Sequence, residues 1–88
     1  MIREYSLLVT EKVLGLDADH LPATWEGSVV FDWKDIVMAR NYLPSDKDIE
    51  NGIDPNECTL VYHSNGENFV IRWGLAEAKR NMREARGE

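Results

Sequence analysis

The sequence predicts a small α+β domain: an antiparallel sheet of three to five strands with a C-terminal helix. Three observations carry this. Two β-rich runs flank Asn65-Gly66. A three- and four-residue apolar spacing follows from Leu75 onward. The 88-residue length suits one compact domain and not two.

The hairpin is read over Thr59–Trp73. Asn-Gly is the strongest short hairpin signal because both turn residues tolerate positive φ. A two-residue turn there pairs Tyr62 with Phe69, Leu60 with Ile71 and Cys58 with Trp73. Side chains alternate across a sheet, so those six residues form one apolar face. His63, Asn68, Val61, Val70, Thr59 and Arg72 fall on the other, mixed face. After Gly74, residues Leu75, Ala78, Met82 and Ala85 make a helical stripe, predicting a helix over 75–86. Glu77–Arg80 and Arg80–Glu84 are spaced for intrahelical pairing.

Val29-Val30-Phe31 reads as a short strand, with Asp32 capping a turn or short helix through Trp33, Ile36 and Val37. Met38–Leu43 fits either a continued helix or a strand. The first fifteen residues fit both as well. Strand is preferred there, because an isolated hairpin needs further strands. Residues 16–27 read as a loop anchored by Leu21 and Trp25.

Sixteen Asp/Glu against ten Lys/Arg give a net charge of -6. Residues 1–71 carry five basic and thirteen acidic residues; residues 72–88 carry five basic and three acidic. Such polarity favours oriented protein association, although a helix decorated for solubility is the simpler account of its basic end. An acidic whole repels nucleic acid at longer range, and no exposed aromatic is interleaved with the C-terminal bases, so direct nucleic-acid binding is not expected. No apolar run reaches the length of a membrane span. The single Cys58 excludes an internal disulfide framework and fits a reducing compartment. A cytoplasmic setting is the expectation.

Residues 46–57 hold Asp46, Asp48, Glu50, Asp54 and Glu57 at positions one, three, five, nine and twelve of a Ca²⁺-loop pattern. Asn51 stands where that loop needs glycine, Pro55 stiffens the second half, and a strand follows instead of a helix. The preferred reading is a solvated acidic loop ahead of the hairpin; a weak cation loop is the alternative. Two scattered histidines and one cysteine make no zinc set. Cys58 and His63 are five apart on a strand and point to opposite faces, so they form no nucleophile–base pair. No nucleophile elbow and no phosphate-cradling glycine loop occurs. The chain is therefore read as non-catalytic, with no cofactor and no metal.

Phe31-Asp32-Trp33-Lys34-Asp35-Ile36, then the Asn65-Gly66 hairpin, then the helix from Leu75, resembles the layout of the small flagellar FlbD family. There, a hydrophobic strand and an Asp-x-x-Ile-like turn precede a hairpin and a short helix. The resemblance covers residues 29–86 in outline. It departs at the insert 44–57 and in a longer N-terminal segment, and it implies a fold without catalytic residues. Size, acidity and absence of motifs also resemble small phage or prophage accessory proteins.

The expected function is a binding protein that regulates or inhibits a larger protein partner; self-association is compatible with it. The contact residues expected are Trp25, Asp46, Asp48, Glu50, Asp54 and Glu57, with Arg80 and Arg83 on the outer face of the final helix. Trp25 is included because tryptophan is enriched at interface hot spots. The runner-up is an acidic mimic of nucleic acid that occupies the basic groove of a nuclease or polymerase.

Overall fold

The computed structural model describes residues 2–9 and 23–87. It contains β1 (Ile2–Val9), β2 (Thr24–Asp32), a 3₁₀ turn (Trp33–Asp35), β3 (Ile36–Asn41), α1 (Asp46–Glu50), a second 3₁₀ turn (Pro55–Glu57), β4 (Cys58–His63), β5 (Asn68–Arg72) and α2 (Leu75–Ala85). The strands form one antiparallel sheet in the order β2-β1-β5-β4-β3. The expected α+β class holds, with Ile2–Val9 as a strand; residues 10–15 of the N-terminal expectation lie outside the described residues. Residues 24–27, expected in a loop, belong to β2, so Trp25 sits on a strand. Leu21 and His20 lie outside the described residues.

Backbone irregularities set which side chains point where. Ser6 pairs with Ser28 but Leu8 pairs with Trp25, so β2 holds one extra residue. Gly27 absorbs it with φ 72, a conformation few other residues adopt cheaply. On β3, Ile36 pairs with His63 and Met38 with Tyr62, leaving Val37 as the extra residue. That bulge turns Ile36 and Ala39 inward and leaves Val37 and Met38 adjacent and exposed.

The inner face carries the larger core: Tyr5, Phe31, Trp33, Ile36, Val61, Ile71 and Ala78. Burying Ile36, Val61 and Ile71 stabilises the fold by roughly 1.5–3 kcal/mol each. The edge strands β2 and β3 are linked directly by the first 3₁₀ turn, and both feed this cluster through Phe31 and Ile36. Asp32 caps that turn by accepting from the Lys34 N–H at 3.1 Å, as expected. The Lys34 N–H also holds the Asp32 carboxyl below its usual range. The turn then holds the hairpin, because the Asp35 carbonyl accepts from the Ser64 N–H at 2.9 Å. Helix α2 docks through Ala78, Met82 and Ala85, as the stripe predicts, and also buries Asn81. Arg86 fastens its end by donating to the Ile36 carbonyl at 3.2 Å.

The hairpin forms where expected, but its register is shifted. Thr59 pairs with Ile71, Leu60 with Val70, Val61 with Phe69 and Cys58 with Arg72. The loop has three residues: the His63 N–H donates to the Glu67 carbonyl, the Gly66 N–H donates to the His63 carbonyl, and Gly66 takes φ 94. This is a turn closed by a glycine bulge. The six-residue apolar face of the two-residue register is therefore divided. Phe69, Ile71 and Trp73 face inward with Val61 and Thr59, while Cys58, Leu60 and Tyr62 face outward with Val70 and Arg72.

A smaller core lies on the outer face, built from Leu8, Ala23, Ile53 and Cys58 with Trp25, Tyr42 and Val70 against it. Its roof is the stretch 42–57, and that stretch is not the solvated loop expected. Ser45 and Asp48 form a reciprocal capping box that starts α1. Pro55 enters the second 3₁₀ turn at its first position, where no N–H is needed. Ile53 closes the roof, its N–H donating to the Asp48 carbonyl at 3.0 Å.

Candidate functional site

The site centres on Arg72, at the end of β5. The true register places it opposite Cys58, on the outer face. Its Nε donates to Glu57 Oε2 at 3.2 Å, and its guanidinium carbon lies 5.5 Å from the centre of the Trp25 ring. Trp25 is half-buried because its strand partner Leu8 belongs to the outer core. The ion pair is about half exposed on both sides, at 52% and 45%. It therefore contributes only about 0–1 kcal/mol, and the cation–π contact about 0.5–1 kcal/mol. Their consequence is positional: a guanidinium is held between an indole and a carboxylate at the surface.

Beside it, the chain passes from β5 into α2 through Trp73 and Gly74. The buried Thr59 hydroxyl donates to the Trp73 carbonyl, and the Trp73 N–H donates to the Glu57 carbonyl at 2.9 Å. Gly74 is close to the second 3₁₀ turn; a Cβ there would stand 3.3 Å from the Asn56 carbonyl oxygen. Glu57, Arg72, Trp73, Gly74 and Glu77 line an open groove of about 480 Å³. The indole N–H of Trp73 is buried and has no acceptor among the described residues. Glu77 pairs with Arg80 one turn along α2, as its spacing predicts, and Arg83 stands exposed on the following turn.

The structure thus brings together three of the expected contact residues. Trp25 and Glu57 meet through Arg72, and Arg80 joins them through Glu77. The acidic stretch is divided. Asp48 turns inward, accepting from the Ala23 N–H at 3.0 Å and from the Ser45 N–H at 3.4 Å. Burial works to raise its pKa, but these bonds outweigh it and hold the carboxyl below its usual range. Asp54 caps the second 3₁₀ turn by accepting from the Asn56 N–H at 2.8 Å. Asp46 and Glu50 remain exposed on α1. The five acidic positions do not converge, and no group of three or more metal-ligating side chains stands together among the described residues.

Arg72 is the residue that sequence reasoning undervalued, since the two-residue register put it opposite Thr59. A signal was present in part: Gly66 permits a three-residue loop as readily as a two-residue one.

Cys58 and His63 point to opposite faces, as expected. The Cys58 thiol donates to the Asp54 carbonyl at 3.4 Å. Burial, and then the charges of Asp54, Glu57 and Asp48, push its pKa up to about 11. It is an unreactive core thiol. His63 Nδ1 accepts from the Asn65 N–H at 3.1 Å within the turn. No helix among the described residues is long and apolar enough to cross a membrane. No family model, no curated protein and no solved structure matches this chain.

Proposed function

We propose that this protein is a non-catalytic binding module that regulates or inhibits a larger protein partner, engaging it at the Arg72 junction. The observation that supports this is the Trp25–Arg72–Glu57 arrangement beside an open groove. Aromatic and arginine side chains fixed at a surface are the residue types that dominate binding energy. Their neighbours Glu77 and Arg80 supply a polar rim of both signs. A mixed interface of this kind holds its partner with a shallow salt dependence.

The test is capture from a lysate of the source organism with the tagged full chain, washed at low and high salt, alongside Arg72→Ala. Arg72 is half exposed, so its truncation leaves the fold intact. The expected result is a discrete protein retained by the parent chain at both salts and lost with Arg72→Ala. Equal retention by the variant, or no retained protein, overturns the proposal. Retention of a nucleic-acid enzyme at low salt only, indifferent to Arg72, would favour nucleic-acid mimicry.

A further inference from the structure

The sheet ends at β3, which pairs with β4 on one side only. Backbone groups in a strand point alternately to its two sides. The Tyr42 N–H donates to the Cys58 carbonyl at 3.2 Å. The pairs that bond across to β4 are therefore Arg40 with Leu60 and Met38 with Tyr62. Ala39 and Asn41 alternate with them and turn their N–H and C=O groups outward, to the edge.

One end of this edge is closed from within. Ile36 gives its N–H to the Trp33 carbonyl, and its own carbonyl accepts from Arg86, just past α2, at 3.2 Å. No such bond reaches the backbone of Ala39 or Asn41 among the described residues. Two outward residues with free donors and acceptors form a template for one more strand.

The side chains around these groups select what can pair there. Arg40 stands between Ala39 and Asn41 and is exposed. Its guanidinium carbon lies 5.7 Å from the centre of the Tyr62 ring, and it has no carboxylate partner among the described residues. Met38, 45% exposed, is two residues earlier and points to the same side of the sheet. A second copy that used all these outward groups would pair Ala39 with Asn41 of the other copy. That register sets Arg40 directly opposite Arg40, where antiparallel side chains stand closest and like charges repel. A strand with a carboxylate at that position meets an attraction instead.

We infer that the β3 edge takes an extended, acidic segment of a partner protein as an added strand. Its backbone bonds to Ala39 and Asn41, its carboxylate lies beside Arg40, and an apolar residue two places further on covers Met38. Strand β4 separates this edge from the strand of Arg72, and the contact does not depend on the function proposed there.

Fluorescence anisotropy with the labelled peptide Thr-Val-Thr-Glu-Thr-Val-Thr, titrated with the full chain, tests this. Saturable binding is expected. The same peptide with lysine in place of glutamate should bind at least about fivefold more weakly, and Arg40→Glu should reverse that preference. Asn41→Pro removes one outward N–H at a strand end, where proline is tolerated. It should weaken binding at least about fivefold while circular dichroism stays unchanged. Should that variant misfold, the charge reversal at the exposed Arg40 decides alone. Amide exchange at Ala39 and Asn41 should slow when the peptide is bound, and Arg72→Ala should bind it as the parent does. No binding, equal binding of the two peptides, or a preference unchanged by Arg40→Glu overturns the inference. A dimer of the chain alone that Asn41→Pro dissolves would assign the edge to a second copy and overturns it too.

Discussion

Trp33 donates its indole N–H to the Tyr5 hydroxyl at 2.7 Å in the centre of the inner core. Asn81 of α2 approaches the same oxygen at 3.5 Å. One phenol oxygen thus satisfies the fully buried Trp33 and ties the C-terminal helix to the first strand. The Tyr5 ring also stacks on Phe31 at 5.4 Å and meets Trp73 edge-on at 5.7 Å.

Tyr5→Phe keeps those ring contacts and removes only the acceptor. Two buried donors are then unpaired, which costs about 1–3 kcal/mol. A urea titration should show a lower midpoint with an unchanged slope. A change within about 0.5 kcal/mol would mean that the hydroxyl does not hold the helix.

Asp48 should stabilise the roof through its charge. Asp48→Ala removes the capping box and the Ala23 bond and should cost about 1–2 kcal/mol at neutral pH. Its folded pKa lies below 3.8, so the ionic contribution is present above that value. It is lost as pH falls through the folded value. The gap between parent and variant should narrow in acid, measured by thermal melts across that range.

The Cys58 pKa rises in the fold from 9.0 to about 11. Two units mean about 100-fold less thiolate at a given pH, before burial slows access further. Iodoacetamide at pH 8 should modify the native protein at least about 100-fold more slowly than the urea-unfolded chain. The folded state also keeps its proton where the unfolded chain releases it. Stability from this group is therefore full below pH 9.0 and declines as pH climbs toward about 11. Comparable labelling rates in the native and unfolded states would show that the thiol is accessible.

Gly66 holds φ 94 at the hairpin bulge. Gly66→Ala has open space for its methyl group, so any loss comes from the backbone alone. A loss of about 1 kcal/mol or more is expected, and Gly66→Asn should lose less, because asparagine tolerates this region. Equal stability of all three chains in thermal melts would place the turn in another conformation.

Which features were legible in the sequence follows from their range. Asn65-Gly66 announces a hairpin, and Leu75, Ala78, Met82 and Ala85 announce a helix, because turn chemistry and helical spacing act over a few residues. One local signal was misread: Ser45 followed three residues later by Asp48 is a capping signature, and it shows that 46–57 begins as a helix.

The hairpin's position, the C-terminal helix, the strand at Val29–Phe31 and the Asp32 cap were determined by the sequence alone. Tertiary structure decided the hairpin register, the place of β1 between β2 and β5, and the meeting of Trp25, Glu57 and Arg72. The physical reason lies in the two cores. An alternating pattern sets register when one face is wet and the other dry. Here the sheet buries apolar side chains on both faces, through Val61 and Ile71 on one and Cys58 and Val70 on the other. Either register offers apolar residues to either side. Only the packing of residues far apart in the chain (Trp33 and α2 within, Ile53 and Tyr42 without) selects between them.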